Sequence, residues 1–74
     1  MKIENKRIFR ACFDFMERNA PPPGADAAWW RSVADDMCNT SQAVGDTSFA
    51  RDMLIAVYSQ IEREAKENQQ QEKR

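Results

Sequence analysis

The sequence contains no histidine, only two glycines and only two cysteines. Without histidine it lacks the commonest general base and the commonest metal ligand. Gly24 and Gly45 are too far apart to form a glycine-rich phosphate loop. Cys12 and Cys38 lack the local Cys/His pairs of a structural zinc site. We therefore expect no enzymatic activity, no cofactor and no bound metal.

A long apolar run is also missing. The longest, MLIAVY at residues 53–58, is far too short to span a bilayer. The N-terminal stretch MKIENKRIFRACFDF has neither the uninterrupted apolar segment nor the small-residue cleavage site of a signal peptide. The two cysteines are fewer than the roughly four to eight of a disulfide-built secreted domain. We therefore expect a cytoplasmic protein with no membrane contact.

Excess charge of one sign is absent, since 11 basic and 12 acidic residues give a formal net charge of −1. Such a balance provides no strong attraction for nucleic acid or an anionic membrane. The exception is a basic cluster near the N-terminus, formed by Lys2, Lys6, Arg7 and Arg10. A solvated polar face is the favoured interpretation of this cluster, and weak nucleic-acid binding is the alternative.

The 74 residues are enough for one small domain, and their apolar positions repeat with a helical period. The first predicted helix covers residues 5–19, with Asn5 as its N-cap and Pro21 beyond its end. Its apolar side chains share an arc of about 160° on the helical wheel. These side chains are Ile8, Phe9, Cys12, Phe13, Phe15 and Met16.

The second predicted helix covers residues 27–44, with Asp26 as its N-cap and Gly45 in the left-handed position after its end. Its apolar arc spans about 140°, with Trp30 near the centre and Trp29 at the edge. We expect Trp30 to be buried. For Trp29 both burial and exposure remain open.

The third predicted helix covers residues 47–66, with Asp46 or Thr47 as its N-cap. Its apolar arc of about 180° leaves Ile55 outside. No segment alternates as a strand does, so we predict an all-α fold, a small antiparallel three-helix bundle. Residues 1–66 form its single domain, and residues 67–74 a frayed polar tail.

The stretch PPPGADAAWW combines three prolines with two tryptophans. Gly24 stands where a PxxP ligand would need its second proline, so the prolines are better explained as a stiff connector. Apolar side chains at the edges of the arcs are in excess of what a small bundle must bury, and they are candidates for partner binding. These candidates are Trp29, Ile55, Tyr58 and Phe15.

The segments WWRSVADDM and SFARDMLIAVYSQIERE, within residues 28–64, resemble short helical proteins encoded by prophages and integrative elements of gut Firmicutes. The resemblance implies an origin in a mobile element, and it implies no site residues. Small proteins from such elements often bind and inhibit a host protein, including CRISPR effectors.

Our leading hypothesis is a non-enzymatic protein-binding module, an accessory or inhibitor protein from a mobile element that acts on a host protein such as a defence effector. A purely structural homodimer or higher oligomer is the first alternative. Weak nucleic-acid binding through the basic first helix is the second. A regulator that senses redox state through Cys12 and Cys38 is the third.

Overall fold

The computed structural model describes residues 1–72, and within them there are three α-helices and no strand. Helix α1 spans Ile3–Arg18, α2 spans Ala27–Ala43 and α3 spans Ser48–Glu72. Each helix packs against both of the others. The predicted all-α three-helix bundle is confirmed. None of the three helices has an apolar stretch long enough to cross a membrane.

Helix α2 runs antiparallel to its two neighbours. Arg7, early in α1, lies beside Val44 at the end of α2, whereas Arg18 at the end of α1 contacts Asp36, about two turns back along α2. Trp30, in the first turn of α2, stacks edge-on against a ring in the middle of α3. The chain therefore passes up, down and up, as short connections between helices favour.

Side chains cap the starts of α2 and α3 where the sequence places capping residues. Asp26 Oδ1 accepts a hydrogen bond from the Trp29 amide at 2.9 Å, and Thr47 Oγ1 accepts one from the Ala50 amide at 3.1 Å. These bonds satisfy amide groups that have no partner inside the helix. Gly45 has φ +91°, the left-handed conformation expected after α2.

Two predicted helix ends are wrong. Helix α1 begins at Ile3 after Lys2, so Asn5 lies inside the helix and does not cap it. Helix α3 continues through Glu72, six residues past its predicted end at residue 66; positions 73–74 of the predicted frayed tail lie outside the described residues. The Asn68 side chain donates a hydrogen bond to the Pro21 carbonyl at 2.9 Å, and this bond holds the late part of α3 against the proline connector.

The core is small and draws on all three helices. Phe15, Val33, Leu54 and Ile61 are its largest fully buried side chains. The two tryptophans, Tyr58 and several aliphatic side chains pack around this centre and keep part of their surface exposed. Trp30 is half-buried, so it reaches the core less completely than its central place on the wheel suggests.

A polar cluster centred on Asp36 joins the end of α1 to α2. Arg18 donates to both carboxylate oxygens of Asp36, at 3.0 and 3.1 Å, and Asn19 Nδ2 donates to the same carboxylate at 2.7 Å. The Thr40 hydroxyl donates to Asp36 at 3.2 Å and accepts from Arg18 at 3.1 Å. The Arg18 guanidinium, with help from Asn19 and Thr40, lowers the pKa of Asp36.

The Asp36 cluster fixes the rotation of α1 about its own axis. Asn19 is buried, and it also donates to the Phe15 carbonyl at 2.8 Å, so its side chain links the last turn of α1 to α2. Since Asn19 must face α2, the residues one turn and two turns before it, Phe15 and Cys12, face the core as well. The opposite flank of α1 is therefore turned outward.

Candidate functional site

Phe9 and Phe13 of α1 form a strip of exposed aromatic side chains with Phe49 of α3. Two aliphatic side chains within the helices, Ile3 and Ile55, are also exposed, at 70% and 58%. Phe9 is 44% exposed and Phe13 is 60% exposed. The rings of Phe9 and Phe49 meet edge to face, with their centroids 5.7 Å apart and their planes at 76°. We call these three residues the phenylalanine strip. It presents aromatic surface from two helices that are packed into one bundle.

The helical geometry of α1 explains why two phenylalanines remain outside. The buried residues Ile8, Cys12 and Phe15 follow the spacing of a single face. Phe9 and Phe13 each come one residue after a member of that face, which rotates them by about 100° away from the core. They lie one turn apart on the helix, so their rings form a continuous outer surface.

A shallow concavity along α1 is lined by Phe9 and Phe13 together with Met1, Lys6 and Arg10. Both cationic side chains are exposed, and that of Arg10 keeps 80% of its surface in solvent. Arg10 also makes an ion pair with Asp14 at 3.5 Å on the helix surface. An exposed pair of this kind contributes little and is easily exchanged for another partner. The strip is thus an apolar surface with a cationic border.

Phe15, one of the four predicted partner-binding residues, is wrongly placed by the sequence analysis. Its side chain is 0% exposed, and it is among the largest fully buried side chains. On the wheel, Phe15 and Phe13 occupy opposite edges of the same apolar arc, and the fold turns the Phe15 edge inward. Phe15 therefore stabilises the core and is not available to a partner.

Ile55 is 58% exposed, as its place outside the apolar arc of the third helix indicates. It lines an open groove of about 280 Å³ between α2 and α3. Met37 and Leu54 form the apolar floor of this groove with it, and Cys38 and Arg51 are among the polar residues at its edge. Arg51 is held at that edge by Asp46 at 3.5 Å.

Trp29 and Tyr58, the remaining two candidates, are half-buried and belong to an aromatic stack. Trp29 meets Trp30 edge to face at a centroid distance of 4.8 Å, and Trp30 meets Tyr58 in the same manner at 5.7 Å. Trp29 does not line the groove that contains Ile55. The structure therefore places these candidates in an aromatic stack and in a groove, and does not join all of them in one surface.

The four basic residues considered for nucleic-acid contact are all exposed on or next to α1. Lys6 and Arg10 border the phenylalanine strip, whereas Arg7 lies towards Val44 at the end of α2, beside Glu4. Acidic side chains thus stand among the basic ones. Lys6, Arg7 and Arg10 also line a common open concavity, together with the carboxylate of Asp14, whereas Lys2 is not among its lining residues.

The two thiols differ in environment, and both are free. Cys12 is in the core, where burial raises the pKa of its thiol. Cys38 is exposed at the groove between α2 and α3. Among the side chains that the structure describes, those of residues 1–69, no three Cys, Asp or Glu come together in a group that could hold a metal ion.

Phe9, Phe13 and Phe49 are the candidate residues that the sequence analysis missed. The signal for Phe9 and Phe13 was the apolar arc of about 160° on α1, which is wider than a helix needs to cover one small core.

No protein-family model matches the chain, and comparison with curated proteins and with solved structures gave no match either.

Proposed function

We propose that the protein is a small, non-enzymatic protein-binding module that docks on its partner through the phenylalanine strip. In line with the resemblance to mobile-element proteins, the partner is a host protein, and the module acts on it as an accessory or inhibitor. The observation that carries the proposal is the exposure of Phe9 and Phe13 side by side on a helix whose other face is fully packed.

The chemistry of the strip supports this function. Aromatic rings are enriched among the residues that contribute most to protein–protein binding, because each buries a large area at a low cost in side-chain entropy. The strip is carried by helices, and the Asp36 cluster fixes the rotation of α1, so little ordering is needed on binding. A contiguous apolar patch with a polar border is the usual form of an interaction site.

Affinity capture from a lysate of the source organism tests the proposal when three baits are compared. The baits are the natural chain, a Phe9→Ser/Phe13→Ser variant and an Ile55→Ser variant. Ile55 is as exposed as Phe13 but lies on a different face, so it is a matched control. Circular dichroism confirms that all three baits are helical.

We expect a host protein that is retained by the natural chain and by the Ile55→Ser bait and is lost with the Phe9→Ser/Phe13→Ser bait. Capture that survives the double substitution would assign binding to another surface. Loss of capture with Ile55→Ser alone would move the site to the groove between α2 and α3.

A homodimer that buries the phenylalanine strip is the second candidate function, supported by the same exposed rings. Light scattering on the purified protein distinguishes the homodimer from the protein-binding module. A dimer that reverts to a monomer in the Phe9→Ser/Phe13→Ser variant would favour self-association. A monomer at all working concentrations would exclude the homodimer.

A further inference from the structure

The phenylalanine strip has cations along one border, and this arrangement indicates the chemistry of what covers it. Lys6 and Arg10 lie one helical turn apart and line the same concavity as Phe9 and Phe13. We propose that the strip binds an amphipathic helix of a partner protein, with acidic side chains that pair with Lys6 and Arg10. This inference rests on the proposed function and names the partner's recognition element.

The two cations are available to a partner. Among the side chains of residues 1–69, Lys6 takes part in no ion pair, and Arg10 has only the exposed contact with Asp14. The Arg10 side chain is 80% exposed, so water screens that contact and a carboxylate from a partner can replace Asp14 at little cost. An incoming acidic side chain would be partly shielded from water by the neighbouring rings, which strengthens its attraction to the guanidinium.

The shape of the strip suits a helix better than an extended peptide. Within the strip and its concavity, residues 1–72 offer no strand whose edge could extend an incoming chain into a sheet. Phe9 and Phe13 are separated by about 6 Å along the axis of α1, and Phe49 widens the surface beside Phe9. Apolar side chains at positions i, i+3 or i+4 and i+7 of a partner helix match this spacing.

A second copy of the chain fits the strip less well. A symmetric pairing of α1 with α1 would bring a second set of Lys6 and Arg10 to the same interface. Residues 1–18 contain five basic and three acidic side chains, and one of the basic ones, Arg18, is already paired with Asp36. Each segment therefore keeps a small net positive charge, and two of them repel each other weakly. A partner helix with acidic flanks removes this repulsion and adds ion pairs, so charge complementarity favours it over self-association.

A library of 16-residue helical peptides displayed on phage tests the inference, because it leaves the charge of the ligand free to vary. The library is selected in parallel on the natural chain, on Lys6→Glu/Arg10→Glu and on Phe9→Ser/Phe13→Ser. We expect the natural chain to enrich peptides with an apolar stripe flanked by Asp or Glu. The charge-reversed variant should enrich Lys or Arg at the same flanks.

A synthetic peptide from the natural-chain selection should bind the Lys6→Glu/Arg10→Glu variant about tenfold more weakly than the natural chain, and less tightly as salt is raised. Three outcomes would each overturn the acidic-helix partner. The natural chain could enrich peptides without an acidic preference, the charge-reversed variant could keep the same preference as the natural chain, or no peptide could be enriched at all. Co-sedimentation of the natural chain with vesicles of phosphatidylglycerol and phosphatidylcholine would overturn it too, since the strip would then favour an anionic membrane.

The selections also separate failure of this inference from failure of the proposed function. If the selected peptides depend on Phe9 and Phe13 but show no charge preference, the strip remains the proposed docking surface and only the acidic-helix partner is rejected. If the selected peptides bind the Phe9→Ser/Phe13→Ser variant as well as the natural chain, the strip is rejected as the docking surface.

Discussion

Phe13 and Phe15 lie two positions apart in α1, and the first is 60% exposed while the second is completely buried. Two residues of separation correspond to a rotation of about 200° around a helix, so the two rings point in nearly opposite directions. The same residue type thus serves the core at one position and the surface at the other. This contrast gives a direct test of the fold.

Phe15→Ala should destabilise the protein severely, whereas Phe13→Ala should not. Removing a fully buried phenyl ring costs about 3–5 kcal/mol of unfolding free energy, which is a large part of the stability of a domain of this size. Removing the exposed ring of Phe13 should change the free energy of unfolding by less than about 1 kcal/mol. Urea denaturation followed by circular dichroism measures both. Equal losses would contradict the orientation of α1.

The Asp36 cluster should make the protein sensitive to acid. The pKa of Asp36 is lowered in the folded chain, chiefly by the hydrogen bonds from Arg18. Its contribution to stability is therefore complete above the unfolded-state pKa of about 3.9, and it is lost as the pH falls through the lower folded-state pKa. The urea midpoint of the natural chain should fall when the pH is lowered from 6 through this range.

Asp36→Asn is the matched variant for the acid prediction. Asparagine keeps the shape of the side chain and removes its charge. Because the cluster is partly exposed, the free energy of unfolding should fall by about 1 kcal/mol at neutral pH. Its urea midpoint should depend less on pH than that of the natural chain. An identical acid dependence in both proteins would show that other carboxylates are responsible.

Cys38 should be alkylated in the native protein, and Cys12 should not. Cys38 is exposed, whereas Cys12 lies in the core, where burial blocks the reagent and raises the pKa of the thiol. Mass spectrometry after brief treatment with iodoacetamide should find one adduct per chain, and two after denaturation in urea. In Cys38→Ser no rapid adduct should form. Fast labelling of Cys12 would mean that the core around α1 opens readily.

The sequence was sufficient for those parts of the fold that depend on local chemistry. Asp26 caps the helix that follows it, Thr47 is one of the two caps considered for α3, and Gly45 takes the left-handed conformation after α2. The first helix ends at Arg18, before the prolines, as the restriction on the residue preceding Pro21 indicates.

The orientation of α1 and the length of α3 could not be predicted, because both depend on contacts between distant residues. The apolar arc of α1 was wider than its buried face, and contacts with the other two helices decide which edge turns inward: the packing of Ile8, Cys12 and Phe15 in the core and the hydrogen bond between Asn19 and Asp36. The late turns of α3 have a polar sequence, and Asn68 joins them to the carbonyl of Pro21, 47 positions away. Periodicity within one helix contains neither piece of information.

Photo-crosslinking from position 13 measures the central claim most directly, because it reports what touches the phenylalanine strip. Phe13 is replaced by p-benzoyl-phenylalanine, with the same replacement at Ile55 as the control, and each protein is irradiated in a lysate of the source organism. We expect position 13 to form an adduct heavier than two copies of the chain, and position 55 to form none. An adduct from position 55 only, or a product from position 13 with the mass of two chains, would contradict the account.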